Sequence, residues 1–276
     1  MEPEDTQVIE SSQKLFRVLE QVIARGDAGV TEIAEETSLP KSTTHLHLQS
    51  LVATGYVTKR DGKYSPSLRL FEWGEKVRNG IEVYVEGREE VDELASEAHG
   101  VAKLGVLEDD AVRLAYVTES ADGETGSSAQ SISTEFNAEP PSGIDHTGEY
   151  RNLLGKEMDF HATAIGKALL AEMPDGEVQS AIDDQGLLPC TPNTITEPDE
   201  LQDELARIRE RGYAVDSGEW TEGLSCIGAA VTRGDTPVGA VSISGPDGRM
   251  DGDLLDEAVR QVINTANIIE VKLTHR

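Results

Sequence analysis

The chain has 276 residues, enough for two domains with a sizeable core, and a formal net charge of −28. Of its 24 basic and 52 acidic residues the first 70 hold 8 and 10, so the excess acid lies almost entirely in the later part, which would repel polyanions. Two cysteines without a Cys-x-x-Cys exclude a disulfide framework or a zinc ribbon. An acidic start and the lack of a long apolar run argue against a signal peptide or a transmembrane helix, and for a cytoplasmic protein. So much acid with few lysines also matches adaptation to high salt, where screening shortens electrostatic reach.

Residues 1–8 are polar. From Ser11 to Arg25, Leu15, Val18, Leu19, Val22 and Ile23 recur at helical spacing. Gly26 to Gly29 ends that helix, and Thr31 is placed to cap the next. Val30–Thr37 and Lys41–Val52 then read as two short helices around a Ser38-Leu39-Pro40 break. Ile33, Ala34 and Thr37 share one face of the first; Thr44, Leu48, Leu51 and Val52 share one face of the second. Pro40 suits the first turn of a helix, where its missing N–H costs nothing. Gly55 to Pro66 reads as a hairpin turning at Asp61-Gly62. Helix, tight turn, helix and hairpin in that order form the pattern of a winged helix-turn-helix, a reader of double-stranded DNA.

The exposed chemistry agrees with that role. With Leu48 and Leu51 turned inward, Ser42, Thr43, His45, His47 and Gln49 face out, where hydroxyls and amides reach phosphates and base edges. Lys41, Lys59, Arg60, Lys63 and Arg69, against Asp61 alone, give the stretch a local positive excess. A small helical domain with a solvated basic hairpin for protein contacts would explain the charge, but not the order of the elements.

Leu68 to Gly74 leads into a long helical pattern carrying Val77, Ile81, Val85, Val91 and Leu94, with Gly80 and Gly87 as candidate breaks. Residues 101–107 and 111–117 read as paired strands. Residues 121–159 are rich in Gly, Ser, Pro and acid and read as loop, with a strand near Gln130–Phe136. Helices follow at 161–171 and 200–211, the latter capped by Gly212. Strands follow at 213–216, 224–232 and 238–244, and an amphipathic helix closes the chain over 251–273. The class is α+β, with an antiparallel-type sheet of about five or six strands. The expected division is a winged helix-turn-helix over 1–68, a linker helix over 69–88 and an effector-binding domain over 89–276.

Three stretches of the later domain converge as a candidate ligand site. Met158 to Ala168 opens a helix with small residues, and free N–H groups at a helix start attract carboxylate or phosphate. Asp216-Ser-Gly-Glu219 with Gly223-Leu-Ser-Cys226 offers acids and a thiol, and Ser242-Ile-Ser244 points two hydroxyls to one face. The plainer account is that the small residues serve close packing and the serines cap strand ends. Cys226, His161 and Asp216 could be imagined as nucleophile, base and orienting acid, but no nucleophile elbow is present and no enzyme is expected. Nor does any His, Cys and carboxylate cluster have metal spacing, so no metal or other cofactor is expected.

Over nearly its whole length the chain resembles the IclR family of transcriptional regulators. The resemblance rests on Lys41-Ser-Thr-Thr-His45 with Gly55-Tyr56, on His161-Ala-Thr-Ala-Ile-Gly-Lys-Ala-Leu-Leu170, on Arg211 to Asp216, on Gly223 to Cys226 and on Val241-Ser-Ile-Ser-Gly-Pro246. It implies a winged helix-turn-helix, a linker helix and a GAF-like domain that binds a small metabolite, in a dimer or dimer of dimers controlling catabolic genes. DNA contacts would come from Lys41, Ser42, Thr43, His45, His47, Gln49, Lys59, Arg60 and Lys63. Carried over by position, the effector residues would be Met158, Ala164, Ile165, Asp216, Cys226, Ser242 and Ser244. The chain departs from the family at Leu46, where many members carry a basic residue. The effector would be a carboxylate, sugar-derived or aromatic metabolite. Alternatives are a redox sensor using Cys226, or a ligand-binding interaction protein without specific DNA binding.

Overall fold

The chain divides into two compact units, Met1–Gly80 and Ile81–Arg276. The structure, a computed structural model, describes residues 8–109, 111–120, 153–249 and 252–275. The strand expected near 130–136 lies outside the described residues.

The first unit runs α1 (Glu10–Arg25), β1 (Ala28–Gly29), α2 (Val30–Thr37), α3 (Lys41–Ala53), β2 (Val57–Arg60), β3 (Lys63–Pro66) and α4 (Arg69–Arg78). Helical spacing on α1 buries Val18 and Val22, while Ile23 is exposed. They pack with Ile33, Leu48, Leu51, Val57 and Tyr64 into one core. Thr31 is not the cap of α2. The cap lies two residues earlier at Gly29, whose N–H donates to the Glu32 carboxylate at 2.7 Å, an anion placed at the positive end of the helix. Ser38 takes a left-handed φ of 55° to turn the chain sharply before Pro40 and α3. Val52 is exposed rather than inward, because one residue past Leu51 is rotated about 100° off the buried stripe.

At the wing, Asp61 and Gly62 take φ of 50° and 83°, the left-handed pair whose twist suits a two-residue hairpin. β2 and β3 pair antiparallel from Val57↔Pro66 to Arg60↔Lys63, and β1 adds a short third strand opposite Tyr64 and Lys63. Beyond the wing, Arg69 donates to the Thr54 carbonyl at 2.5 Å and lies over the rings of Tyr56 and Trp73, tying the start of α4 to the end of α3.

The second unit runs α5 (Glu82–Ala98), β4 (Val101–Glu108), β5 (Ala111–Glu119), β6 (Glu157–Met158), α6 (Ala164–Glu172), α7 (Asp175–Gln185), α8 (Pro198–Arg211), β7 (Ala214–Ser217), β8 (Leu224–Arg233), β9 (Thr236–Pro246) and α9 (Gly252–Thr274). The linker helix expected over 69–88 is two helices, separated after Asn79 at Gly80, one of the two candidate breaks. Residues 82–88 belong to α5, where Val83, Tyr84 and Gly87 are buried in the second unit. α7 had no visible signature, since Val178 is its one buried residue. Among the described residues, no helix is long and apolar enough to cross a membrane.

The strands form one antiparallel sheet in the order β6-β5-β4-β9-β8-β7. Alternation along each strand serves two cores. Leu104, Ile227, Ala229, Val231, Val241 and Ile243 pack with residues of α5 and α9. Val112, Leu114, Cys226 and Ala240 pack with residues of α6 and α8. Glycines let α6 come close to its face of the sheet. A Cβ on Gly228 would lie 2.7 Å from the Ala164 carbonyl oxygen, and one on Gly105 would lie 2.6 Å from an Ile165 methyl.

Gly228→Ala should therefore lower the stability of the second unit by roughly 1–3 kcal/mol, through overpacking against backbone that cannot retreat. Gly74→Ala, in the open interior of α4, should be neutral or stabilising by about 0.5–1 kcal/mol. Denaturant unfolding of the two variants measures both; equal effects would mean that α6 does not press on Gly228.

Candidate functional sites

The first site is the outer surface of α3 with the wing. Thr44 is fully buried, its hydroxyl bonded to the Pro40 carbonyl at 3.2 Å, and Leu48 and Leu51 are buried below it. That orientation leaves Lys41, Ser42, Leu46, Gln49 and Ser50 exposed. Thr43, His45 and His47 are partly covered, so the open face is narrower than the sequence suggested. On the wing, Lys59, Arg60 and Lys63 are all exposed. Lys59 lies over the Tyr64 ring at 5.1 Å, and Lys63 pairs with Asp27 at 3.2 Å. The unit thus exposes cations at the start of α3 and on the wing beside a largely uncharged outer face of α3.

The second site is a polar patch on the α6 face of the sheet. Register places Asp216 opposite Cys226, and Cys226 opposite Ser244; in the next row Gly228 faces Ser242 and Ser242 faces Lys103. Asp216, Cys226, Ser242, Ser244 and Lys103 are all buried. The Lys103 ammonium donates to the Ser244 hydroxyl at 2.9 Å, and that hydroxyl donates to the Cys226 sulfur at 3.1 Å. Ala164 sits against Gly228 and Ile165 against Gly105, at the start of α6. Thr163 caps that helix, accepting from Gly166 N–H at 3.0 Å. Met158 does not join the row. It lies on β6, paired with Val112 of β5, and β6 is the opposite edge strand from the one that carries Asp216.

A loop closes over this patch by its own hydrogen bonds. The Asp216 carboxylate accepts from the backbone N–H of Glu219 at 2.7 Å and of Trp220 at 3.3 Å. Thr194 donates to the Glu219 carbonyl at 2.6 Å, and Lys167 of α6 pairs with the Glu219 carboxylate in the interior. The loop also sets Trp220 with Lys103 5.9 Å from its ring centre. His161 is spent elsewhere, its Nε2 bonded to the Leu188 carbonyl at 2.9 Å. Burial pushes the carboxyls of Asp216 and Glu219 above their ordinary values, against the two backbone N–H groups and the charges of Lys167 and Lys103.

Sequence reasoning missed Lys103 and Trp220; Glu219 was among the acids it offered, and Lys167 lay within the first candidate stretch without a role of its own. Lys103 carries a signal in hindsight, as the one charged residue inside the apolar run Val101–Leu107. A buried charge within a strand needs a partner or a ligand. Among the described residues, no group of His, Cys, Asp and Glu could hold a metal. A shallow groove of about 270 Å³ lies elsewhere, walled by Val83, Val106, Val238 and Leu273 and edged by the Arg233–Glu82 pair. It lacks convergent polar groups of the kind found at Asp216.

Burial raises the Cys226 thiol to about 12, with Lys103 pulling it down and Asp216 pushing it up; burial likewise raises Cys190 to about 11. Because the folded values exceed those of the free thiols, these protons contribute stability that is complete below about pH 9 and is lost as pH climbs toward 12. Cys226 should resist iodoacetamide at pH 8 in the native chain and react fully in denaturant, as read by mass spectrometry. Fast native-state alkylation, or a peroxide adduct on Cys226, would revive the redox reading.

The geometry can be set beside known proteins. Residues 11–61 match the IclR helix-turn-helix domain, and residues 145–271 match the bacterial transcriptional regulator IclR C-terminal domain. The chain is 31% identical to a probable HTH-type transcriptional regulator ArcR of Halobacterium salinarum, over 89% of this chain and 87% of the relative. It is similar to the crystal structure of the Thermotoga maritima IclR, with a TM-score of 0.73 and 27% identity over 95% of this chain and 98% of that one. An IclR homolog from Microbacterium hydrocarbonoxydans, solved in complex with 4-hydroxybenzoate, shares the fold at a TM-score of 0.74 and 19% identity, over 96% and 99% of the two chains. With both of its units matched, the chain belongs to the IclR family of DNA-binding transcriptional regulators.

Proposed function

We propose that the chain binds operator DNA through α3 and the wing, and that a small metabolite held on the Asp216–Cys226–Ser244–Lys103 patch tunes that binding. The observation that carries this reading is the buried row itself: acid, thiol, hydroxyls and ammonium side by side on a sheet face otherwise lined with apolar groups. These groups are already stripped of water and hydrogen-bonded within the chain, so a ligand with matching polar atoms would add its contacts in a dry setting where each is stronger. Lys103 favours a carboxylate among the expected carboxylate, sugar-derived and aromatic classes, and Trp220 beside it suits a planar or ringed body. The 4-hydroxybenzoate held by the Microbacterium homolog has both features.

The mechanism is a coupling free energy between metabolite and operator, expressed through a two-fold dimer or dimer of dimers. A two-fold dimer would read two half-sites about one helical turn apart. The regulated genes would be catabolic ones handling that metabolite. The strongly acidic second unit suits a cytoplasm of high ionic strength, so the natural conditions for the assay are molar salt.

Titration of DNA from the gene's own upstream region against scrambled DNA, with candidate acids and sugars added singly, tests the reading. Specific binding shifted by one metabolite is the expected result; equal binding to scrambled DNA with every ligand would remove it. Lys41→Ala and Arg60→Ala should weaken binding to all sequences and reduce the salt slope by about 1 each, as for phosphate contacts. Gln49→Ala should relax sequence preference by roughly 1–3 kcal/mol at one base pair. Unchanged binding by all three variants would mean that another surface meets DNA.

A further inference from the structure

The most exposed face of α3 carries no charge. At helical spacing Ser42, Leu46, Gln49 and Ala53 fall on one stripe, opposite the buried Thr44, Leu48 and Leu51, and all four are exposed. Leu46 stands in the middle of that stripe with 62% of its surface open, so it contributes little to the core of its own unit. The hydroxyl of Ser50, the neighbouring exposed polar residue, is already turned back to the Leu46 carbonyl at 3.0 Å, and that of Thr54 to the Ser50 carbonyl at 2.8 Å. The hydroxyl that could compete for base edges one turn from Leu46 is therefore committed to the helix backbone, as is that of Thr54 at the end of α3. The cations stand apart from the stripe, at Lys41 and on the wing.

In the major groove an apolar side chain has one specific counterpart, the C5-methyl group of thymine, and an exposed glutamine amide has one best counterpart, the N6 and N7 edge of adenine. We infer that Leu46 is a specificity-determining residue which reads a thymine methyl in each half-site. Gln49, one turn along the same stripe, then reads an adenine close by, so that the core of the half-site is A·T-rich. The contact is also insensitive to ionic strength: screening weakens the phosphate contacts of Lys41 and Arg60 but leaves methyl burial intact. The inference rests on the DNA-binding reading above.

The test uses the full chain in molar salt. Selection from a random duplex library defines the preferred site, and each thymine of one half-site is then replaced singly by uracil, which removes only the methyl group. At one thymine the wild-type chain should lose roughly threefold to tenfold in affinity. Leu46→Ala should bind the thymine and uracil duplexes equally, whereas Gln49→Ala should keep the discrimination. Uracil tolerated at every position, or discrimination retained by Leu46→Ala, overturns the inference while leaving the regulator reading intact. Failure to enrich any sequence overturns both.

Discussion

The arrangement of the second unit depends on one constraint, the close approach of α6 to the sheet. Only glycine at 105 and 228 leaves room for the backbone and side chains that begin that helix. Gly166 does the same on the helix itself, where a Cβ would collide with the Phe160 backbone. This approach holds Ala164 against the sheet row that carries Ser242 and Lys103, and Ile165 against the neighbouring row of Gly105 and Ala240. It also sets Lys167 deep enough to meet Glu219 in the interior. The polar patch on that face is buried, which makes each hydrogen bond there stronger and each unmet one costly.

Buried charge is the second organising feature. Removing Lys167 or Glu219 alone would strand the other, whereas together they lock the loop after β7 to α6. Asp216 works in the same loop from the opposite end, receiving the N–H groups of Glu219 and Trp220. A carboxylate spent on its own loop remains close to Cys226 and Ser244 through the strand register, so a ligand that engages Asp216 also acts on the loop geometry. Under the proposed function, binding and local conformation would be linked at this residue, which is what a coupling of metabolite to operator requires at its first step.

Much of this was legible in the sequence, for identifiable reasons. The hairpin at Asp61-Gly62 announces itself because a two-residue turn needs two left-handed residues, and both take that geometry. The Leu48–Leu51 face and the Gly212 cap follow from helical period and backbone freedom. Other features were hidden because no local rule encodes them. The cap of α2 depends on a carboxylate at Glu32 rather than on Thr31, and α7 buries too little to leave a pattern. Lys103 and Glu219 acquire meaning only when register and loop closure bring them to the patch. Met158 shows the converse: position in the family match placed it among the candidates, and the sheet puts it on the other edge.

The most direct test of the central claim is calorimetric titration of the operator-shifting metabolite into the full wild-type chain and into Lys103→Met, a variant that keeps the length and apolar stem of the side chain and deletes its charge. The account predicts that affinity falls at least about tenfold in the variant while its unfolding transition stays cooperative, since the ammonium both holds Ser244 and anchors the ligand. Equal affinity in the two chains would contradict it and move the metabolite to another part of the second unit.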